Sequence, residues 1–348
     1  MGDRILVIDA GTTSTRAMLF GADGALHRTA QAELTQYYPR PGWVEHDAGE
    51  IWQRSLACAR DVAGADAEGI AAIGITNQRE TVIAWDRATG EPLARAIVWQ
   101  DRRTAEACDV LRAAGHEPAV QAATGLLLDP YFSATKMRWL LDNDGRVRAA
   151  AQGGRLAFGT VESWLAFKLT GAHVSDASNA SRTLLLPLAR AQFDEGLCDL
   201  FSVPRSALPE VVDTHGLLGE SDPRWLGRAI PICGMIGDQQ AATVGQGCLA
   251  PGMTKATFGT GAFVLTAMGE AHPVSRHRLL GTVLQQAGGR RSYALEGAVF
   301  TAGSLIQWLR DGLGLIGSAA ETEALARSVP DSGGVTIVPA LAGLGAPH

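Results

Sequence analysis

Ile5-Leu6-Val7-Ile8-Asp9-Ala10-Gly11-Thr12-Thr13-Ser14-Thr15-Arg16-Ala17-Met18-Leu19-Phe20 is the stretch on which the fold turns. Ile5 to Asp9 is a short apolar run that ends on a carboxylate, Gly11 to Ser14 is a tight turn, and Thr15 to Phe20 alternates as a half-buried strand does. A second turn at Gly21-Ala22-Asp23-Gly24 leads into Ala25 to Gln31, so the chain opens as a three-stranded antiparallel meander. Asp47 with Glu50 three residues on gives a helix start with a capping box, ahead of Ile51, Trp52, Leu56 and Ala59 at helical spacing.

Working outward, Ile70 to Thr76 and Thr81 to Trp85 are continuous apolar runs of the kind found in covered strands. Helices are expected near 102–113, 133–141 and 161–169, with a strand near 156–159, an α/β order. Near residue 230 the opening pattern repeats. The apolar run Ile230 to Ile236 and Gly237-Asp238 precede a helix from Gln239 to about Gly245. Thr254 to Phe258, Gly259-Thr260-Gly261 and Ala262 to Thr266 then form a second strand, turn and strand. Pro251-Gly252 marks a boundary between a domain over 1–250 and a second over 251–348.

Composition narrows the function classes. The 348 residues allow two or three domains, and 46% hydrophobic with 19% charged residues is a globular balance. A net charge of −6 with scattered Lys and Arg argues against nucleic acid and for a small-molecule partner. The five cysteines are odd in number, widely spaced and without a C-x-x-C pair, which disfavours a disulfide framework or a zinc site. Buried thiols of a cytoplasmic protein are the expectation. The N-terminal apolar run is too short for a signal peptide, and the longest candidate for a membrane span, Gln239 to Thr254, is broken by Gly, Gln and Pro.

A turn of Gly, Thr and Ser exposes backbone N–H groups and hydroxyls with little bulk, as close approach to a phosphate requires. One such turn is common; two, one in each expected domain, would grip a polyphosphate from both sides. The sequence holds no G-x-x-x-x-G-K-[ST], no G-x-G-x-x-G opening a helix and no protein-kinase signature. Asp238, at the end of an apolar strand, is placed for a general base at a sheet's carboxyl edge, although an isolated Asp there equally caps the helix that follows. Asn77-Gln78-Arg79-Glu80 sets four polar side chains between apolar strands, and an adjacent Arg and Glu supply a donor and an acceptor for a polyol. Asp331-Ser332-Gly333-Gly334 echoes a serine-protease segment but reads as an ordinary turn between a helix and a strand. Asn179-Ala180-Ser181 is only formally a glycosylation acceptor.

These segments, with Pro41 to Asp47, Ile75 to Thr81, Ile97 to Gln100, Asp129 to Phe132, Phe158 to Val161, Asn179 to Thr183, Gly237 to Gln240, Phe258 to Gly261 and Leu295 to Phe300, resemble the glycerol kinase family of FGGY carbohydrate kinases, in that family's order and over nearly the whole chain. The resemblance implies an α/β fold of two actin-like, ribonuclease H-like ATPase domains closing on Mg-ATP and a small polyol. By match to the family pattern, Thr12, Thr13, Ser14 and Arg16 hold the nucleotide phosphates from the first domain, and Thr260, Gly303 and Gln307 from the second. Arg79, Glu80, Tyr131, Asp238 and Gln239 hydrogen-bond glycerol, and Trp99 and Phe263 pack against its carbon edge. Asp238 is the implied general base, and Asp9 positions Mg²⁺ through water. Arg79, Glu80 and Tyr131 point to glycerol over xylulose or gluconate, and Ala10 stands where many of these kinases carry Gln. A dimer or tetramer is a further implication.

Family members continue past Pro347-His348, and the strand-like Val335 to Pro339 lies just before that point. The expectation is therefore an incomplete second lobe that has its phosphate turn, lacks the segments holding adenine and ribose, and leaves apolar surface exposed. Three readings stay open: a piece of a full kinase, an inactive relative, or a module that binds a polyol without catalysis. Another sugar kinase of the same family is the alternative within the active readings. An actin-like ATPase of another class would need no Arg79-Glu80-Tyr131 cluster and would hydrolyse ATP without glycerol.

Overall fold

The structure, a computed structural model, describes residues 3–338 except 191, and residues 340, 341, 343 and 345–347. Its first sheet contains β1 (Arg4–Ala10), β2 (Ser14–Gly21), β3 (Leu26–Glu33), β4 (Ile70–Asn77), β5 (His215–Glu220) and β6 (Pro231–Gly237), numbered here for the two main sheets only. The order across it is β5-β6-β4-β1-β2-β3. β6, β4 and β1 run parallel at its centre, and antiparallel strands flank them.

Alternation explains the buried face. Leu6, Ile8 and Ala10 of β1 point inward with Thr15, Ala17 and Leu19 of β2. Helix α1 (Ala48–Ala63) covers them with Ile51, Ser55, Leu56, Ala59 and Val62. A polar pair across this contact, Thr15 and Ser55, is joined by a buried 2.7 Å hydrogen bond. Asp47 caps α1 by accepting from the N–H groups of Gly49 and Glu50. The expected capping box is not formed: Glu50 accepts instead from the backbone N–H and hydroxyl of Thr35, tying α1 to the segment after β3. Helix α2 (Val161–Thr170) covers the same sheet face further along, with Trp164, Leu165 and Leu169 buried.

A second sheet holds β7 (Thr254–Phe258), β8 (Ala262–Gly269), β9 (Leu280–Ala287) and β10 (Arg290–Val299), in the order β7-β8-β10-β9 and antiparallel throughout. It is stitched to the first part of the chain by hydrogen bonds from Gly281 N–H to the Gly125 carbonyl, from Thr214 N–H to the Gln286 carbonyl, and between Ser181 and Thr282. Gly125 sits in the left-handed region, and a Cβ there would lie 2.9 Å from Gly281 Cα, so this approach requires glycine. A single apolar cluster runs from Val98, Leu128 and Phe132 to Leu265, Leu280 and Ala298.

The opening meander, the 230–245 repeat and the second hairpin are where the sequence places them. The strand expected over Val335 to Pro339 is not: residues 335–338 form no strand, and Pro339 lies outside the described residues. The Asp331 to Gly334 turn, closed by Gly333 N–H on the Asp331 carboxylate, therefore follows a helix but precedes no strand. Phe258, Leu315, Ile337 and Val338 are exposed, as the expectation of uncovered apolar surface required. Cys58, Cys108, Cys198 and Cys248 are buried free thiols, whereas Cys233 is half-buried. Among the described residues, no helix is long and apolar enough to cross a membrane.

Candidate active site

Register places the chemistry at one sheet edge. Asp9 of β1 stands level with Thr76 of β4, and Gly237 at the end of β6 stands level with Asn77. Three parallel strands thus deliver Asp9, the Asn77 to Glu80 segment and Asp238 side by side at their carboxyl ends, where an open α/β sheet offers a crevice. Asn77, buried, donates to Glu162 and to Asn179, which fixes the point where the chain leaves β4. The formal glycosylation site at Asn179 is accordingly inside the protein. Three residues on, Glu80 has φ 63°, a left-handed conformation that costs a non-glycine residue energy and marks a constrained site.

Arg79 is the hub of a buried ion network. Its Nη1 lies 2.6 Å from Glu296 Oε2 and its Nη2 3.1 Å from Glu296 Oε1, a two-pronged pair with a carboxylate from β10. The same guanidinium donates to Gln240 and to the Tyr131 hydroxyl. Glu80 accepts from Arg182 Nε at 2.6 Å, and Arg182 Nη2 returns to Glu296 at 2.9 Å. Burial works against both guanidinium charges, but Glu296 above all outweighs it, and both remain cations. Burial likewise disfavours the Glu296 carboxylate, and Arg182 with Arg79 holds it below its ordinary range.

Asp238 opens helix α3 (Asp238–Gly245), but as its first residue, and it does not cap it: the cap position is Gly237, and among the described residues the Asp238 carboxylate accepts a hydrogen bond only from the adjacent Gln239 N–H. That carboxylate, 36% exposed, lies 3.6 Å from Arg79 Nε. Burial, offset by Arg79 and reinforced by Glu80 and Asp9, pushes its pKa up to about 6. Burial also raises Asp9, with Arg16 pulling the other way. Gln239 is buried, and its Oε1 accepts from Lys255 Nζ at 2.8 Å. Trp99 meets Tyr131 and Phe263 edge to face, at 5.7 and 5.9 Å between centroids, which builds an aromatic wall beside Arg79.

Each of the two glycine-threonine turns adjoins this wall. Trp99 Nε1 donates to Thr12 Oγ1 at 2.9 Å, and Phe263 follows the second turn by two residues. Ser14 and Arg16 share Gln31 as a partner, and Thr13 is exposed. In the second turn the Thr260 carbonyl accepts from Ala302 and Ser304 N–H at the start of helix α4 (Gly303–Asp311). A Cβ on Gly303 would meet the Gly259 carbonyl at 2.5 Å, so glycine is what lets α4 close on the turn. Thr260, Gly303 and Gln307 are all exposed.

Comparison with known proteins shows the family. The FGGY family of carbohydrate kinases matches with its N-terminal domain over residues 4–245 and its C-terminal domain over residues 254–348. The chain belongs to the FGGY family of carbohydrate kinases. Among curated FGGY relatives, glycerol kinase of Alkalilimnicola ehrlichii is 56% identical, over 99% of this chain and 70% of its own length. Glycerol kinase of Alcanivorax borkumensis is 57% identical over the same shares. Plasmodium falciparum glycerol kinase, solved with ADP, superposes with a TM-score of 0.89 at 35% identity, over 100% of this chain and 71% of its own. The chain thus spans about seven-tenths of the length of these FGGY relatives.

Of the residues expected to bind the polyol, Arg79, Glu80, Tyr131, Asp238, Trp99 and Phe263 form one connected cluster. Sequence alone does not single out Arg182, Glu296, Gln240 or Lys255 as site residues. Arg182 and Glu296 lay within the segments that carry the resemblance, and the usable signal was a lone charge among small and apolar neighbours, as in Ala294-Leu295-Glu296-Gly297-Ala298.

Proposed function

We propose that the chain transfers the γ-phosphoryl group of ATP to glycerol, giving glycerol 3-phosphate and ADP, with Asp238 as general base. The observation that carries this is the placement of Asp238: a partly exposed carboxylate directly after the carboxyl end of β6, 3.6 Å from Arg79, and its pKa, raised to about 6, suits a base. In the proposed step the glycerol hydroxyl oxygen bonds to the γ-phosphorus, its proton passes to Asp238, and the bond from that phosphorus to the β-phosphate oxygen breaks as ADP leaves. Such a transfer needs alignment and charge neutralisation more than covalent help. Arg79 Nε and the Glu80 carboxylate supply a donor and an acceptor to the polyol, with Tyr131 and Gln239 beside them and the Trp99–Phe263 wall against its carbons. A site built to pair each hydroxyl discriminates against sugars that leave one unpaired.

Thr12, Thr13, Ser14 and Arg16 are proposed to hold the phosphates from residues 1–250, and Thr260, Gly303 and Gln307 from residues 251–348, the two regions acting as the kinase's domains. Among the described residues, no three His, Cys, Asp or Glu side chains cluster as a metal cage. That fits magnesium, which keeps several waters and takes one or two carboxylates plus substrate phosphate. Asp9, raised by burial and level with the site, is the residue proposed to hold it, through water. When bound, the ion neutralises charge on the phosphates. A cytoplasmic location and a dimeric or tetrameric assembly complete the reading.

The experiment is ADP release from Mg-ATP with glycerol, xylulose or gluconate as acceptor. Release that depends on glycerol and is weak with the two sugars is expected; a preference for either sugar, or release without acceptor, contradicts the reading.

A further inference from the structure

The Arg79 guanidinium is held end-on. Both terminal nitrogens face Glu296, at 2.6 and 3.1 Å, and because the group is planar this leaves Nε directed toward the gap between Glu80, at 3.8 Å, and Asp238, at 3.6 Å. Neither of those two distances is a hydrogen bond, so the Nε donor is kept available beside the base. Glu80 is held in the same manner from the other side, its Oε1 accepting from Arg182 Nε at 2.6 Å. Arg182 completes the ring by donating to Glu296 Oε1 at 2.9 Å, and it stacks over Tyr131 and Phe132, with centroids 5.4 and 5.2 Å away.

Arg182, Glu296, Arg79 and Glu80 are at most 3% exposed. Two cations and two anions inside the protein balance only while all four are present, and removing one leaves an uncompensated buried charge. The members come from distant segments. Arg79 and Glu80 follow β4, Arg182 follows the short helix Ala177–Ala180, and Glu296 is central in β10, level with Leu265 of β8 and Leu280 of β9. One donor of the ring, Arg182 Nη1, has no partner among the described residues although it is buried.

We propose that Glu296 and Arg182 are positioning residues of the polyol site: Glu296, from the second sheet, aims Arg79 Nε at the substrate gap, and Arg182 holds the Glu80 carboxylate opposite it. This rests on the proposed glycerol kinase reading. Neither residue touches the reacting atoms. Without the Glu296 charge, the Arg79 fork has Asp238 as its nearest unpaired carboxylate and turns onto it, which takes the donor from the polyol and the lone pair from the base. Polyol recognition is thereby conditional on the second sheet being docked.

The test uses the full chain, with glycerol binding followed by calorimetry and by thermal stabilisation, and with steady-state kinetics. Glu296→Gln keeps size and removes charge. Arg182→Lys keeps charge and removes the fork that spans Glu80 and Glu296. Each is expected to raise the glycerol Kd and KM by about tenfold or more, the scale of a lost charge-assisted hydrogen bond, with the KM for Mg-ATP moving less than about twofold. The double variant is expected to cost less than the product of the two single effects, because both act on one ring. A role confined to stability would lower the Tm and leave the glycerol Kd in place. Two folded variants that bind glycerol within about twofold of wild type overturn the proposal, and if Glu296→Gln does not fold, Arg182→Lys decides by the same criterion. A wild-type chain that neither binds nor phosphorylates glycerol overturns the functional reading itself, and this inference with it.

Discussion

The polyol side of the site and the second phosphate turn are built on opposite plans. Around Arg79 the charges of Arg79, Glu80, Arg182 and Glu296 are buried and paired with one another, and the pairing reaches from residue 79 to residue 296. Around Thr260 the backbone carries the structure, the side chains face solvent, and α4 buries none of its residues. Recognition of a small neutral polyol demands fixed donors and acceptors in a dry place, because each hydrogen bond must beat water. Grip on a polyphosphate demands exposed N–H groups and room for a large anion. On the proposed reading, specificity belongs to the buried ring and nucleotide handling to the turns, a division that can be broken by substitutions that cross it.

The largest expected effect below the base itself is at Arg79. Arg79→Lys loses the two-pronged pair with Glu296 and the bond to Tyr131, and glycerol KM is expected to rise about 10- to 150-fold, as for loss of one charged hydrogen bond of about 1.5–3 kcal/mol. Kinetics at saturating Mg-ATP measure it, and an equal rise in the KM for Mg-ATP would break the division. Next is pH. Asp238 must be ionised to accept a proton, and burial holds its pKa at about 6 in the free protein, so kcat/KM for glycerol should fall about tenfold per unit below that pH and level off above it. A kcat/KM that is flat down to pH 5 would be inconsistent with Asp238 as base. Because its folded pKa is raised, this group's contribution to stability is fully present below about pH 4 and is lost as pH rises through about 6. Asp238→Asn should therefore gain stability relative to wild type across that window.

Gly303→Val tests the other side, since any Cβ there meets the Gly259 carbonyl. Displacing the turn is expected to raise the KM for Mg-ATP about tenfold and leave glycerol binding in place, as calorimetry would show. Thr12→Val removes the acceptor of the Trp99 indole, a bond that links the aromatic wall to the first turn, and should cost about fivefold in kcat/KM, near 1 kcal/mol. The smallest effect is remote: Asp47→Ala uncaps α1, is expected to lower stability by about 1 kcal/mol in denaturant titration, and should leave both KM values unchanged.

What could be read from the sequence follows from the range of each signal. The hairpin around Thr12, the helix after Asp47 and the second hairpin around Thr260 are local patterns, and their strands begin within a residue of expectation, the last one running three residues further, to Gly269. Asp238 was legible because a carboxylate ends an apolar run. The strand order β5-β6-β4 was not, since about 150 residues separate the parallel neighbours β4 and β6, and no local period encodes that pairing. The Arg79–Glu296 pair, 217 residues apart, is invisible for the same reason. Glu50 shows a different failure: the capping-box spacing is present, but a tertiary partner, Thr35, outcompetes the local one. The apolar run from Val335 to Val338 has strand composition without a sheet edge beside it among the described residues, and composition alone makes no strand.

The central claim is glycerol phosphorylation with Asp238 as base, and the measurement that tests it most directly is glycerol-dependent ADP release from Mg-ATP by the wild-type chain and Asp238→Asn side by side. The account predicts release by the wild type and a loss of about 10²- to 10⁴-fold in a folded variant that still binds glycerol. An Asp238→Asn chain that releases ADP at the wild-type rate would contradict it.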